Sequence, residues 1–148
     1  MNNLIGINIT AGYGGVDIIK DININVNEGE IVVIVGPNGA GKSTAMKALL
    51  GLLNLSSGEV KFSSKNISSM LPQNRVSLGL AFVPQNHNVF TGMTVQENLE
   101  MGGFIREDDI HETIEDIYKL FPVLKTKRNQ LAGELSGGQR QQVAFGRA

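Results

Sequence analysis

The chain has 148 residues, with 13 Lys and Arg against 14 Asp and Glu for a net charge of −1, no Cys and only 2 His. That length suits one compact domain or a piece of a larger one. There is no basic excess to neutralise nucleic-acid phosphates, and the missing thiols exclude disulfides, thiol nucleophiles and cysteine-held zinc.

The run 31–35 is the longest purely aliphatic stretch, far below the ~20 apolar residues that cross a bilayer. Met1-Asn2-Asn3 carries no charged leader, so a soluble cytosolic protein is expected. Leu4, Ile5, Ile7 and Ile9 predict a short strand that the Gly12-Tyr13-Gly14-Gly15 cluster turns back. Ile22, Ile24 and Val26 alternate with asparagines, as in a strand with one wet face, so residues 1–30 read as antiparallel. The run 31–35 is β-branched throughout and reads instead as a strand buried on both faces of a parallel sheet. A glycine-rich loop follows, then a helix over 43–53 with Met46, Leu49, Leu50 and Leu53 at helical spacing, closed by Ser56-Ser57-Gly58. A brief strand is expected over 59–62, a helix from near Pro72, and a second buried strand over 80–83, ended by Pro84. Thr94-Val95-Gln96-Glu97 fits a capping box, opening a helix that Gly102-Gly103 stops. The clearest amphipathic helix spans 108–121, with Ile110, Ile114, Ile117, Leu120 and Phe121 on one face and Glu107, Asp108 and Asp109 at its positive dipole end. A last helix starts at Gln139. A soft boundary near Thr91 separates mixed strands and helix (1–90) from a helical region (91–148).

Two glycine-bearing loops carry the chemistry, in a chain whose 18 glycines exceed the usual share of about 7%. Gly36-Pro37-Asn38-Gly39-Ala40-Gly41-Lys42-Ser43, with Thr44 next, fits the phosphate-binding loop and lies between an expected strand and an expected helix. Its glycines let backbone N–H groups curl around the β- and γ-phosphates of a nucleoside triphosphate. The helix starting at Lys42 adds its positive end, Lys42 a point charge, and Ser43 a hydroxyl for Mg²⁺. The bland alternative is a glycine-rich turn with a chance lysine. In Leu135-Ser136-Gly137-Gly138-Gln139, Ser136 and Gln139 satisfy an S-x-x-Q capping box with no ligand at all. On residue chemistry alone Tyr13 is a packing residue and Gln85 a turn residue. His87 and His111 read as surface histidines, and Lys125, Lys127 and Arg128 as a solvated turn.

The phosphate loop, the 135–139 pentapeptide and the run Arg140-Gln141-Gln142-Val143-Ala144-Phe145-Gly146-Arg147-Ala148 together resemble the ATP-binding cassette family, whose signature reads LSGGQ. The resemblance covers essentially the whole chain. It implies an α/β P-loop core with an antiparallel β portion and a helical subdomain, binding ATP and Mg²⁺. Tyr13 would stack on adenine. Gln85 would be the Q-loop glutamine, holding Mg²⁺ and sensing the transport partner. Ser136, Gly137, Gly138 and Gln139 would act on nucleotide held by a second ATP-binding subunit in a head-to-tail pair. Gln85 and Ser136 are thereby the catalytic candidates, and Ser43 and Gln85 the metal candidates. The interval between Gln85 and Ser136 suits the small helical subdomain of a transporter ATPase and is too short for a long coiled-coil insertion.

The stretches 11–15, 89–102 and 120–122 look like ATP-binding subunits of branched-chain amino acid importers, which often have Glu where this chain has Gln85. Such a subunit sits at the inner face of the membrane through integral permease subunits and takes no nucleic acid. The family pattern continues with a Mg²⁺-binding aspartate, a water-positioning glutamate and a γ-phosphate histidine after the signature helix. None stands within residues 1–148, so the chain is expected to be an N-terminal fragment, inactive alone and marginal around 31–35, where a doubly buried strand would lack neighbours. Two other readings are a cassette ATPase serving repair or translation, and a non-catalytic nucleotide-binding module.

Overall fold

A computed structural model describes residues 3–148. The chain divides into two compact units, one ending at Leu80 and the other starting at Ala81.

In the first unit β1 (Leu4–Tyr13) and β2 (Val16–Val26) form the expected antiparallel hairpin, with Tyr13 opposite Val16 across the Gly14-Gly15 turn. Both strands run longer than the apolar pattern predicts, because irregularities in their pairing absorb the polar positions. Asn8 sits at φ 47, its N–H donates to Asn23 Oδ1 at 3.0 Å, and its Oδ1 accepts from Asn23 Nδ2 at 3.1 Å. β3 (Leu55–Phe62) pairs with the other edge of β1, and β4 (Lys65–Asn66) with β3, giving the order β2-β1-β3-β4. Ser56-Ser57-Gly58, expected to close a segment, therefore lies inside a strand. The helix α1 (Lys42–Leu49) covers this sheet. Its Ala45, Ala48 and Leu49 meet Ile9, Ala11, Ile19, Val60 and Ile67 in one core. Ile9, Val60 and Ile67 are fully buried, each stabilising by about 1.5–3 kcal/mol. α1 ends at Leu49 rather than 53 because the chain reverses at Gly51 (φ 73), whose N–H donates to Ala48 O at 3.2 Å. The short α2 (Pro72–Val76) opens on the expected proline.

Neither expected buried strand forms. In 31–35 the side chains of Ile31, Val33 and Val35 are 90%, 73% and 83% exposed, and the segment pairs with no strand among the described residues. The residue pattern demands ladder partners on both edges and cover on both faces, and without them extended backbone stays unpaired. The residues 80–83 are likewise irregular, at the division between the units.

In the second unit α3 (Val95–Gly102) carries its predicted capping box: Thr94 Oγ1 accepts from Glu97 N–H at 3.2 Å, and Glu97 Oε2 accepts from Thr94 N–H at 2.7 Å. The amphipathic helix is shorter than its pattern. α4 (His111–Leu120) begins where Asp109 Oδ1 accepts the His111 N–H, and ends because Pro122 forces Phe121 out of helical geometry before α5 (Pro122–Thr126). Ile114 and Tyr118 bury, whereas Leu120, assigned to the same face, is 71% exposed. A 3₁₀ turn (Ala132–Glu134) leads to α6 (Gly137–Arg147), and Val95, Leu99, Ile114, Tyr118, Leu124 and Val143 form the core. The boundary expected near Thr91 falls inside this unit, where Gly133 N–H donates to Thr91 O and Ala132 N–H to Met93 O.

Candidate nucleotide-binding site

The loop 36–44 ends on an open helix. Gly41 precedes α1 at φ 88, and a Cβ there would lie 2.6 Å from Ile19 Cγ2, so only glycine fits. Gly41 offers no side-chain acceptor and the first turn of α1 has no acidic residue, leaving its positive end without internal compensation. Lys42 folds back over the loop, and its Nζ donates to Gly36 O at 2.8 Å and to Pro37 O at 2.7 Å. Two neutral carbonyls hold the ammonium against the loop, and among the described residues no carboxylate pairs with it. Ser43 is exposed and Thr44 buried, so Ser43 is the hydroxyl free to meet a cation. A triphosphate with Mg²⁺ fits this donor set: backbone N–H groups, a fixed cation and a hydroxyl.

Tyr13, at the end of β1, is 49% exposed, and Lys47 Nζ lies 5.9 Å from its ring centroid. The ring presents a flat surface of the kind a base stacks on. These residues belong to the first unit. Gln85 and 136–139 belong to the second.

Gln85 is exposed in an irregular segment. Three residues on, buried Asn88 donates from Nδ2 to Gln141 Oε1 at 2.7 Å, and the Arg147 guanidinium lies 4.7 Å from the Phe90 ring centroid. The segment after Gln85 is therefore pinned to α6, the helix that the signature opens. Ser136 Oγ accepts from Gln139 N–H and Gln139 Oε1 from Ser136 N–H, both at 3.3 Å, so the cap predicted from spacing is real. Gly137 and Gly138 are exposed, and nothing lies within 4 Å of where their Cβ atoms would stand. Neither internal packing nor backbone conformation requires glycine there, although each costs the helix up to about 1 kcal/mol relative to Ala. His87 and His111 are exposed as expected, and Lys125 pairs with Glu115 at 2.6 Å.

The family model described as "ABC transporter" matches residues 19–148. The chain belongs to the ABC transporter family. It is 36% identical to a probable branched-chain amino acid transport ATP-binding protein (LivF) of Archaeoglobus fulgidus, over 96% of this chain and 61% of that protein. It is 37% identical to a high-affinity branched-chain amino acid transport ATP-binding protein (BraG) of Pseudomonas aeruginosa, over 95% of this chain and 60% of that one. An sn-glycerol-3-phosphate import ATP-binding protein of Rhizobium johnstonii is 39% identical, over 96% of this chain and 40% of its own length. Among solved structures, a nucleotide-free ATP-binding cassette from an ABC transporter matches with a TM-score of 0.83 and 32% identity, covering 100% of this chain and 64% of that one. An ADP conformation of such a cassette matches with a TM-score of 0.80 and 31% identity, covering 99% and 64%. The chain spans about three fifths of the branched-chain transport relatives it matches. Its fold is that of an ABC ATPase core, a P-loop α/β arrangement carrying an antiparallel sheet and a helical part.

Three residues of these elements carry little or no mark in the local sequence. Lys47 was hidden because the proximity of α1 to β1 is tertiary. Asn98 is fully buried and its side chain serves Phe90 N–H and the carbonyls of Phe90 and Thr94. Its only sequence signal is a polar residue one position beyond a capping box. Arg75 is 2% exposed, with no motif around it beyond Pro72.

Proposed function

We propose that this chain is the nucleotide-binding part of an importer's ATPase subunit, with ATP and Mg²⁺ at 36–44. The observation that carries this reading is the open N-terminus of α1, with Lys42 held over the loop by carbonyls alone. Lys42 and the loop N–H groups bind the β- and γ-phosphates, Ser43 helps hold Mg²⁺, and Tyr13 stacks on the base. Gln85 acts on the metal and Ser136 to Gln139 on nucleotide bound by a second subunit in a head-to-tail dimer. The bare glycines of the first turn of α6 support that last assignment, since they leave backbone open to an approach from outside the chain. Ser43 and Gln85 would hold Mg²⁺, which would neutralise phosphate charge when bound, while Lys42 and the loop N–H groups orient the triphosphate.

In the whole protein, hydrolysis drives permease subunits at the inner face of the membrane. Among the described residues no helix is long and apolar enough to cross a bilayer. The two branched-chain transport relatives favour branched-chain amino acids as the solute. The sn-glycerol-3-phosphate import relatives, at up to 39% identity, favour a second reading. Calorimetric titration of the chain with Mg-ATP tests the nucleotide assignment, and absence of saturable binding would refute it. Reconstituting the whole subunit with its permease separates the solutes: leucine and not sn-glycerol-3-phosphate should stimulate ATP turnover.

A further inference from the structure

Arg75, on α2, is the largest fully buried side chain of the described residues, and no carboxylate faces it. Its guanidinium is satisfied by backbone: Nη1 donates to Leu49 O at 2.7 Å, Nε to Met70 O at 3.0 Å and Nη2 to Ser68 O at 3.0 Å. Leu49 is the last residue of α1, so the buried cation sits at the negative end of the helix whose positive end opens the phosphate loop. The other two carbonyls belong to a stretch tied in turn to β3, where Ile67 N–H donates to Val60 O at 2.8 Å and Val60 N–H to Ser68 Oγ at 2.8 Å. Gly51 is shaped around the same group. At φ 73 it reverses the chain after α1, and a Cβ there would lie 2.6 Å from Arg75 Cζ.

We propose that Arg75 is a positioning residue for the phosphate loop, clamping the far end of α1 to the sheet so that the N–H groups of Lys42, Ser43 and Thr44 keep a fixed aim. An eight-residue helix is only about 12 Å long and moves as a rigid rod, so tilt released at Leu49 is delivered to the loop. Water would serve the Leu49 carbonyl of a surface helix equally well. Here the carbonyl is buried, so a donor tied to the sheet holds that end of the helix. This inference rests on the nucleotide reading of the loop, yet part of its test does not.

The test compares wild type, Arg75→Lys and Arg75→Met in the full chain, at a temperature where melting curves show each folded. Amide exchange without nucleotide should quicken in R75M at Ala45, whose N–H donates to Gly41 O at 2.8 Å and closes the first turn of α1, and R75K, which keeps a buried donor cation, should restore most of the protection. Affinity for Mg-ATP and for inorganic tripolyphosphate should fall together by about tenfold in R75M and by no more than about threefold in R75K. If R75M quickens exchange only across 66–80 and binds both ligands like wild type, Arg75 is a local packing residue and the proposal is overturned. If R75M does not fold, R75K decides: exchange at Ala45 faster than in wild type together with an affinity loss of up to about threefold supports the proposal, and exchange changed only across 66–80 with Ala45 and both affinities as in wild type overturns it. Wild type that binds neither ligand would sink the nucleotide reading, leaving the nucleotide-free exchange comparison to judge Arg75.

Discussion

The chain has two glycine-bearing loops that each open a helix, and they handle the same physical problem in opposite ways. Every helix begins with N–H groups that lack intrahelical acceptors. At α6 the chain satisfies them itself, through Ser136 and Gln139 in a reciprocal cap. At α1 it does not: Gly41 has no side chain to offer, and the adjacent cation is held by carbonyls. A helix end left open beside a fixed lysine has donors unspent within its own chain. A helix end already capped is stable empty, so any ligand role for it must use its outward face, where Gly137 and Gly138 stand bare. Loops that look alike as glycine-rich sequence thus differ in whether their donors are free.

Lys42→Ala attacks the open loop, and the largest effect is expected there. The loop loses the only side-chain cation among the described residues that bonds to it, and a hydrogen bond to a charged group is worth about 1.5–3 kcal/mol, so affinity for Mg-ATP should drop by about tenfold to a hundredfold in calorimetric titration. Unchanged affinity would place the nucleotide elsewhere.

The capped loop should respond differently. Ser136→Arg in the whole subunit should leave the monomer's ATP affinity intact while abolishing ATP-dependent dimerisation in sedimentation. Were Ser136 a cap and nothing more, the change would cost about 0.5–2 kcal/mol of stability and dimerisation would persist.

Replacing Gly137 and Gly138 with alanine sets stability against function. With open space at both positions, each change should raise thermal stability by up to about 1 kcal/mol while weakening the dimer. A variant both more stable and fully dimerising would show that the bare backbone serves no approach from outside.

The smallest effect separates the two reciprocal caps by pH. Hydrogen bonds from the Thr94 backbone and side chain hold the Glu97 carboxyl below its usual range. A depressed carboxylate contributes stability that is complete above its unfolded-state value and is lost as pH falls through the lower folded value. The N-terminus of α3 should therefore fray in acid, whereas that of α6, capped by the neutral Gln139, should not. Amide exchange at Glu97 and Gln139 across the acid range reads this directly, and equal behaviour of the two would deny the carboxylate its role.

Local pattern made much of this molecule readable in advance. The hairpin, the caps at Thr94 and Ser136, and the glycine turn that opens α1 are set by residues within a few positions of one another, where turn geometry and side-chain reach leave little choice. Strand assignment at 31–35 and 80–83 is different in kind. A continuous apolar run states only that a segment would be stable if flanked, and whether it is flanked depends on strands far away in sequence. Arg75 shows the same limit from the other side: nothing near it in sequence marks a buried charge, because the carbonyls that satisfy it come from Leu49, Ser68 and Met70, which only the folded chain brings together. Sequence by itself determined which groups are offered. Tertiary structure decided which are satisfied, because a donor and its acceptor need meet only in space.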